Sequence, residues 1–184
     1  MSTGQPEITI DLVLDRHNTK EVLRAVLHSI LFHRLFGTVK PRTFEVSDVS
    51  MPGVDDPEII RLVDEKVESF WRGVEGGANK RGQILVTFSE KRQRKSWFPG
   101  IMGEEEVPWE LWTINAEIRQ PTTAQERERF NEDLKSTLTK SLKVMLTHTS
   151  SERGRSVVPL ITNAQGISPF PVKIVVKVGA IEVG

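Results

Sequence analysis

EKRQRKSWFPGIMGEEEVPWELWTINAEI, residues 90–118, is the stretch around which the rest of the chain is organised. It opens with a basic cluster, Lys91, Arg92, Arg94 and Lys95, followed by two adjacent aromatics, Trp97 and Phe98. Pro99-Gly100 marks a turn directly after them. Glu104, Glu105 and Glu106 then lead into VPWELWTINAEI, whose aromatic and β-branched content reads as a strand. Along that strand Trp109 and Leu111 point one way, and Trp112, Ile114, Ala116 and Ile118 the other. Both faces are apolar at Leu111-Trp112, so helices are expected over one side and further chain over the other. Loops stay at the surface because their backbone polar groups need water. Trp97 and Phe98 are therefore either held outward as a binding site or folded back as a lid over the core.

Upstream, QILVTFS (83–89) is a second strand, with Ile84, Val86 and Phe88 on one face. GVEGGANKRG before it has Arg81 after Lys80 where a phosphate loop needs Ser or Thr, and it precedes a strand instead of opening a helix; it is a loop. The preceding segment starts at Asp56-Pro57, a cap with proline at N1, and carries Ile59, Ile60, Val63, Val67, Phe70, Trp71 and Val74 at helical spacing. Met51-Pro52-Gly53 reads as a turn, and residues 38–50 as a short edge strand around Pro41. Residues 20–36 carry a wide apolar stripe (Val22, Leu23, Val26, Leu27, Ile30, Leu31, Leu35), which predicts a deeply buried helix. Asn18 or Thr19 is placed to cap it, with Glu21 completing a box and Gly37 ending it. Residues 7–14 alternate as a half-buried strand.

Downstream, Thr122 with Gln125 and Thr123 with Glu126 are overlapping capping boxes for a third helix over 122–147. Its stripe is narrow: Phe130, Leu134, Leu138, Leu142, Met145 and Leu146. Residues 151–155 read as a polar linker, and 157–162 and 172–178 as two more strands. Strands prone to hairpins, three interspersed helices and no regular βαβ rhythm argue for an α+β fold in a single domain.

The chain has 184 residues, 38% hydrophobic and 27% charged, with 25 basic residues against 25 acidic ones. One real core is possible, and no global field recommends nucleic acid as a partner. Cysteine is absent, which excludes disulfides, thiol catalysis and thiolate-bound zinc. With neither a signal-peptide pattern nor an apolar run of membrane-spanning length, the expectation is a soluble intracellular domain. His28 and His33 are five apart, not the four that aligns two ligands on one helix face, so no metal site is expected. No nucleophile elbow or dinucleotide fingerprint occurs, and neither His33 nor His148 has a nucleophile at a recognisable spacing. A binding module is expected, without catalytic residues or cofactors.

EVLRAVLHSILFHR (21–34), KSWF (95–98) and VPWELWTI together resemble the HORMA-domain autophagy-related protein one-hundred-and-one family, over roughly residues 6–147. The resemblance implies a HORMA-like fold: a mixed sheet backed by three helices over a core of 6–147, with a C-terminal safety-belt region over 148–184. It also implies a non-enzymatic adaptor in the cytoplasm, at the phagophore assembly site. Such an adaptor pairs with the HORMA domain of autophagy-related protein thirteen inside the autophagy-initiation kinase complex. Its exposed tryptophan-phenylalanine finger, carried here by Trp97 and Phe98, recruits downstream factors. In the family pattern proline stands between the two aromatics; here Pro99 follows them, and the loop to Pro108-Trp109 is longer. Arg127, Arg129 and Phe130 on the third helix are candidate heterodimer contacts, and Lys91, Arg92, Arg94 and Lys95 candidate electrostatic ones. Two rivals stand beside this reading. One is a HORMA adaptor of another pathway closing its belt on a peptide, for which the chain's end at Gly184 leaves little material. The other is a peripheral membrane module using the basic cluster and the aromatics.

Overall fold

The computed structural model describes residues 4–77, 80–94, 103–162 and 168–184. Strands β1 (Glu7–Leu14), β4 (Arg81–Arg94), β5 (Gly103–Ile118), β6 (Val172–Val178) and β7 (Ile181–Glu182) form one sheet in the order β1-β5-β4-β6-β7. β1 runs parallel to β5 and every other pair is antiparallel, so the sheet is mixed. β2 (Pro41–Val46) and β3 (Val49–Val54) form a separate hairpin. Three long helices, α1 (Thr19–Arg34), α2 (Pro57–Glu75) and α3 (Ala124–Ser150), complete the α+β, HORMA-like fold, with a short α4 (Glu152–Ser156) after α3.

Strand alternation puts one apolar row after another on a single face. Ile10, Ile114, Ile84 and Val176 stand in register across four strands, as do Ile8, Trp112, Val86 and Ile174. All but Ile8 are buried. α2 packs over β6 and β4, α3 over β1, and α1 lies against both helices. At Gly82 a β-carbon would come within 2.5 Å of the Phe70 ring, so glycine lets α2 lie close on β4. Among the described residues the opposite face is not covered as the double apolar pattern at Leu111-Trp112 suggested. Asp11, Asn115, Gln83 and Lys177 share a register there. Asn115 donates to Asp11 and Gln83 to Asn115, each at 2.8 Å.

Several local expectations are corrected. Met51-Pro52-Gly53 is not a turn but the middle of β3. The chain reverses at Ser47-Asp48, both at positive φ, which is the two-residue hairpin geometry that matches strand twist. α1 ends without a left-handed Gly37, because Leu35 turns extended directly after Arg34. Its N-terminus uses no capping box: the Asp15 carboxylate accepts from the His17 and Asn18 amides, and Thr19 Oγ1 donates to the Asp15 carbonyl. Caps on the other helices match the reading. Asp56 accepts from the Glu58 and Ile59 amides, and Thr123 from the Glu126 amide. Residues 157–162 form no strand, and the linker before them is α4.

The β2–β3 hairpin packs on α1 at His28. The imidazole Nδ1 accepts from the Val54 amide at 3.3 Å, the Phe44 ring lies 4.6 Å away, and Nε2 has no partner among the described residues. Burial, with Arg42 nearby adding to it, lowers the His28 pKa from 6.5 to about 4. The folded state thus resists protonation that the unfolded chain accepts. Its contribution is complete above pH 6.5 and is lost as pH falls towards 4, by about 1.4 kcal/mol per pH unit. We expect urea unfolding at pH 5 to show wild type losing about 2 kcal/mol more, relative to pH 7, than His28→Asn, which keeps an acceptor for Val54. Equal losses in the two proteins would remove His28 as the titrating group.

Candidate functional site

β4 and β5 shift register between Phe88 and Ser89: Phe88 faces Glu110 while Ser89 faces Pro108. Trp109 is the extra residue of this bulge, which is why the consecutive Trp109 and Glu110 are both buried. Glu110 lies on the helix-covered face with Trp112. Arg34 reaches it from the last turn of α1, three and four residues beyond the buried Leu31 and Ile30. The guanidinium donates from Nε to Glu110 Oε1 at 2.8 Å and from Nη2 to Oε2 at 2.5 Å. Trp112 Nε1 donates to Oε1 at 2.6 Å, and His148 Nε2 on α3 donates to Oε2 at 2.7 Å. Nη2 of Arg34 also donates to the Gly154 carbonyl of α4 at 2.8 Å. The Trp109 ring packs 5.4 Å from the guanidinium.

This buried charge pair joins α1, β5, α3 and α4. The Arg34 side chain is 2% exposed and that of Glu110 0%, so both charges have left water and rely on each other. Gly154 fits because no side chain could: a β-carbon there would fall 1.8 Å from the His148 carbonyl oxygen. Nothing in the cluster is a nucleophile open to a substrate. Its chemistry is positional, fixing α3 and the chain that follows it against the sheet. The sequence reading missed Arg34, Glu110 and Gly154, and weighed His148 only as a base. The signal was present, since Glu110 sits at an apolar position of a strand and Arg34 on the apolar stripe of α1.

The predicted surface residues fall in three groups. Lys91, Arg92 and Arg94 lie on the extension of β4, opposite Glu106, Glu105 and Gly103 of β5. Arg92 also bonds Glu90. The basic cluster is thus half of a two-stranded ribbon in which glutamates offset it, not an isolated cationic patch. Lys95, Trp97 and Phe98 lie outside the described residues. On α3, Arg127 and Arg129 are exposed and Phe130 is half-buried. Further along, α3 buries Leu134, Leu138, Ser141 and Met145 and leaves Val144 and Leu146 exposed, 41% and 59%. Among the described residues no three His, Asp or Glu side chains converge as a metal ion would require. Nor is any helix there long and apolar enough to cross a membrane.

The family model described as Autophagy-related protein 101 matches residues 11–165. The chain belongs to this family. Autophagy-related protein 101 of Arabidopsis thaliana is 36% identical over 115 residues, covering 61% of this chain and 52% of the relative. The Schizosaccharomyces pombe protein of the same name is 34% identical over 112 residues, 60% of this chain and 59% of the relative. That of Homo sapiens is 28% identical over 159 residues, 76% and 71%. The chain thus spans a little over half the length of the plant and fission-yeast relatives. The family takes its name from autophagy. Two of the motifs behind the initial resemblance, LHSILFHR and PWELWT, contribute Arg34 and Glu110, the two halves of the buried pair.

Proposed function

We propose that this chain is a non-enzymatic adaptor in autophagy initiation. It pairs through α3 with the HORMA domain of autophagy-related protein thirteen, within the initiation kinase complex at the cytoplasmic phagophore assembly site. It recruits downstream factors through Trp97 and Phe98. Family membership supports the autophagy role. The observation that supports pairing is the outer face of α3, where exposed Val144 lies among Lys140, Lys143 and Thr147. Helical spacing places Arg129 along the same stripe. An apolar residue set among basic side chains suits a specific protein contact, because the charges set register while the apolar centre supplies affinity.

Isothermal titration with the HORMA domain of protein thirteen tests the pairing. Val144→Glu and Arg129→Glu are expected to weaken binding at least tenfold, about 1.4 kcal/mol, with unfolding transitions unchanged. Wild-type affinity in both variants would overturn the assignment of α3.

The finger has a separate test. Replacing Trp97 and Phe98 together by alanine is expected to change stability by no more than about 0.5 kcal/mol, the range of surface substitutions. It should leave the pairing intact and abolish capture of downstream factors, because paired aromatics act as anchors in a partner's pocket. A fall of several kcal/mol in the same double variant would make the two aromatics a lid over the core.

A further inference from the structure

β6 pairs with β4 only from Gly82 to Phe88, while β4 runs on to Arg94. Ser89 donates its amide to the Pro171 carbonyl at 3.1 Å. Ladder alternation aims the N–H and C=O groups of Lys91 and Gln93 to that same side, where β6 has ended. Pro171 and Pro169 keep β6 from following, since proline brings no donor to a ladder. The edge borders a groove of about 1060 Å³. On the groove's other side runs VVPLIT, residues 157–162, which pairs with no strand among the described residues and whose Leu160 is 90% exposed. Trp109 and Phe170, edge to face at 5.4 Å, line it as well. The buried Nε1–H of Trp109 has no acceptor among the described residues.

We propose that this groove takes an extended peptide from a partner protein, added as a strand to the edge of β4 that no described strand pairs and running antiparallel to it in the line of β6. Two facts select that occupant. An unpaired strand edge recognises another extended backbone through its own donors and acceptors, and adjacent apolar surface reads the alternate side chains. Charge supplies the second. Arg92 pairs with Glu90 and Lys91 stands opposite Glu106, whereas Glu104 stands opposite the uncharged Gln93. The groove therefore favours a peptide that alternates apolar residues and carries a lysine or arginine near Glu104. This binding uses no residue of the α3 face and stands apart from the pairing proposed there.

The test probe is a capped peptide of sequence VKIVVKV, that of β6 itself, added to the full chain and followed by amide hydrogen exchange and nitrogen-edited NMR. Expected is saturable protection of the Lys91 and Gln93 amides, with a shift of the Trp109 Nε1–H resonance. Lys91→Pro removes an outward N–H without touching the β4–β5 ladder and should weaken binding at least tenfold. The same peptide methylated on alternate backbone nitrogens should not bind wild type, which keeps the test decisive if the proline variant folds poorly. Unchanged exchange at Lys91 and Gln93 up to millimolar peptide would overturn the proposal. So would equal binding of the methylated peptide, or loss of protection over residues 84–88 through displacement of β6.

Discussion

Glu110→Ala is expected to lower the free energy of unfolding by about 3–5 kcal/mol, the usual cost of removing one partner of a buried ion pair. For a chain of this size that corresponds to a fall in melting temperature of roughly 10–15 °C. The loss arises less from the missing attraction than from what stays behind. The Arg34 guanidinium would remain buried, with its Nε donor unpaired and the Gly154 carbonyl still accepting from Nη2. Trp112 Nε1 and His148 Nε2 would lose their acceptor as well. Because α4 hangs on the same guanidinium, exchange protection should fall first around Gly154 and the end of α3. Guanidinium-chloride unfolding read by tryptophan fluorescence measures the first effect, and residue-level exchange the second. A loss below about 1 kcal/mol, the scale of an exposed pair, would mean that the pair is solvated in solution.

Trp112→Ala is expected to cost about as much, roughly 3–5 kcal/mol, by a different route. Trp112 is fully buried on the helix-covered face, in register with Ile8 on one side and Val86 on the other. Its removal opens a cavity beneath α3, whose His148 ring meets the indole edge at 5.7 Å, and takes one donor from Glu110. Trp112→Phe restores most of the volume but not the donor, so it should recover most of the loss and leave a remainder of about 1 kcal/mol. Thermal unfolding of the two variants separates the terms. A wild-type melting temperature for Trp112→Ala would contradict the placement of β5.

Much of this architecture is legible in the residues. Alternation at Ile8, Ile10, Leu12 and Leu14 fixes β1, and Asp56-Pro57 and Thr123 with Glu126 fix two helix starts, because these signals are local. What fails is decided by tertiary partners. Pro52-Gly53 carries strong turn chemistry, yet Pro52 faces Thr43 in a ladder, and the reversal falls at Ser47-Asp48. Val157, Val158, Ile161 and Thr162 have strand propensity, but a strand exists only where an edge is met, and these residues lie across a groove from the β4 edge. The site was harder still. Alternation from Trp112 puts Glu110 on the apolar face, but an acid there has no visible partner in the sequence, and the bulge that also brings Trp109 inside is not legible. Arg34 likewise reads as a favourable charge at a helix C-terminus. Only their meeting, 76 residues apart in sequence, reveals a buried pair. The surfaces that carry binding leave a weaker trace, since an exposed Val144 differs from a buried one only through the packing of the whole helix.

Arg34 and Glu110 act as one buried unit, and a double-mutant cycle measures that directly. Arg34→Met, Glu110→Leu and the double variant are unfolded in guanidinium chloride beside wild type. Each single change is expected to cost about 3–5 kcal/mol and the double variant far less than the sum, with a coupling of about 3 kcal/mol or more, since an apolar pair of similar volume strands no charge. Additivity within about 0.5 kcal/mol would contradict it, and would mean that the two charges are held in place independently.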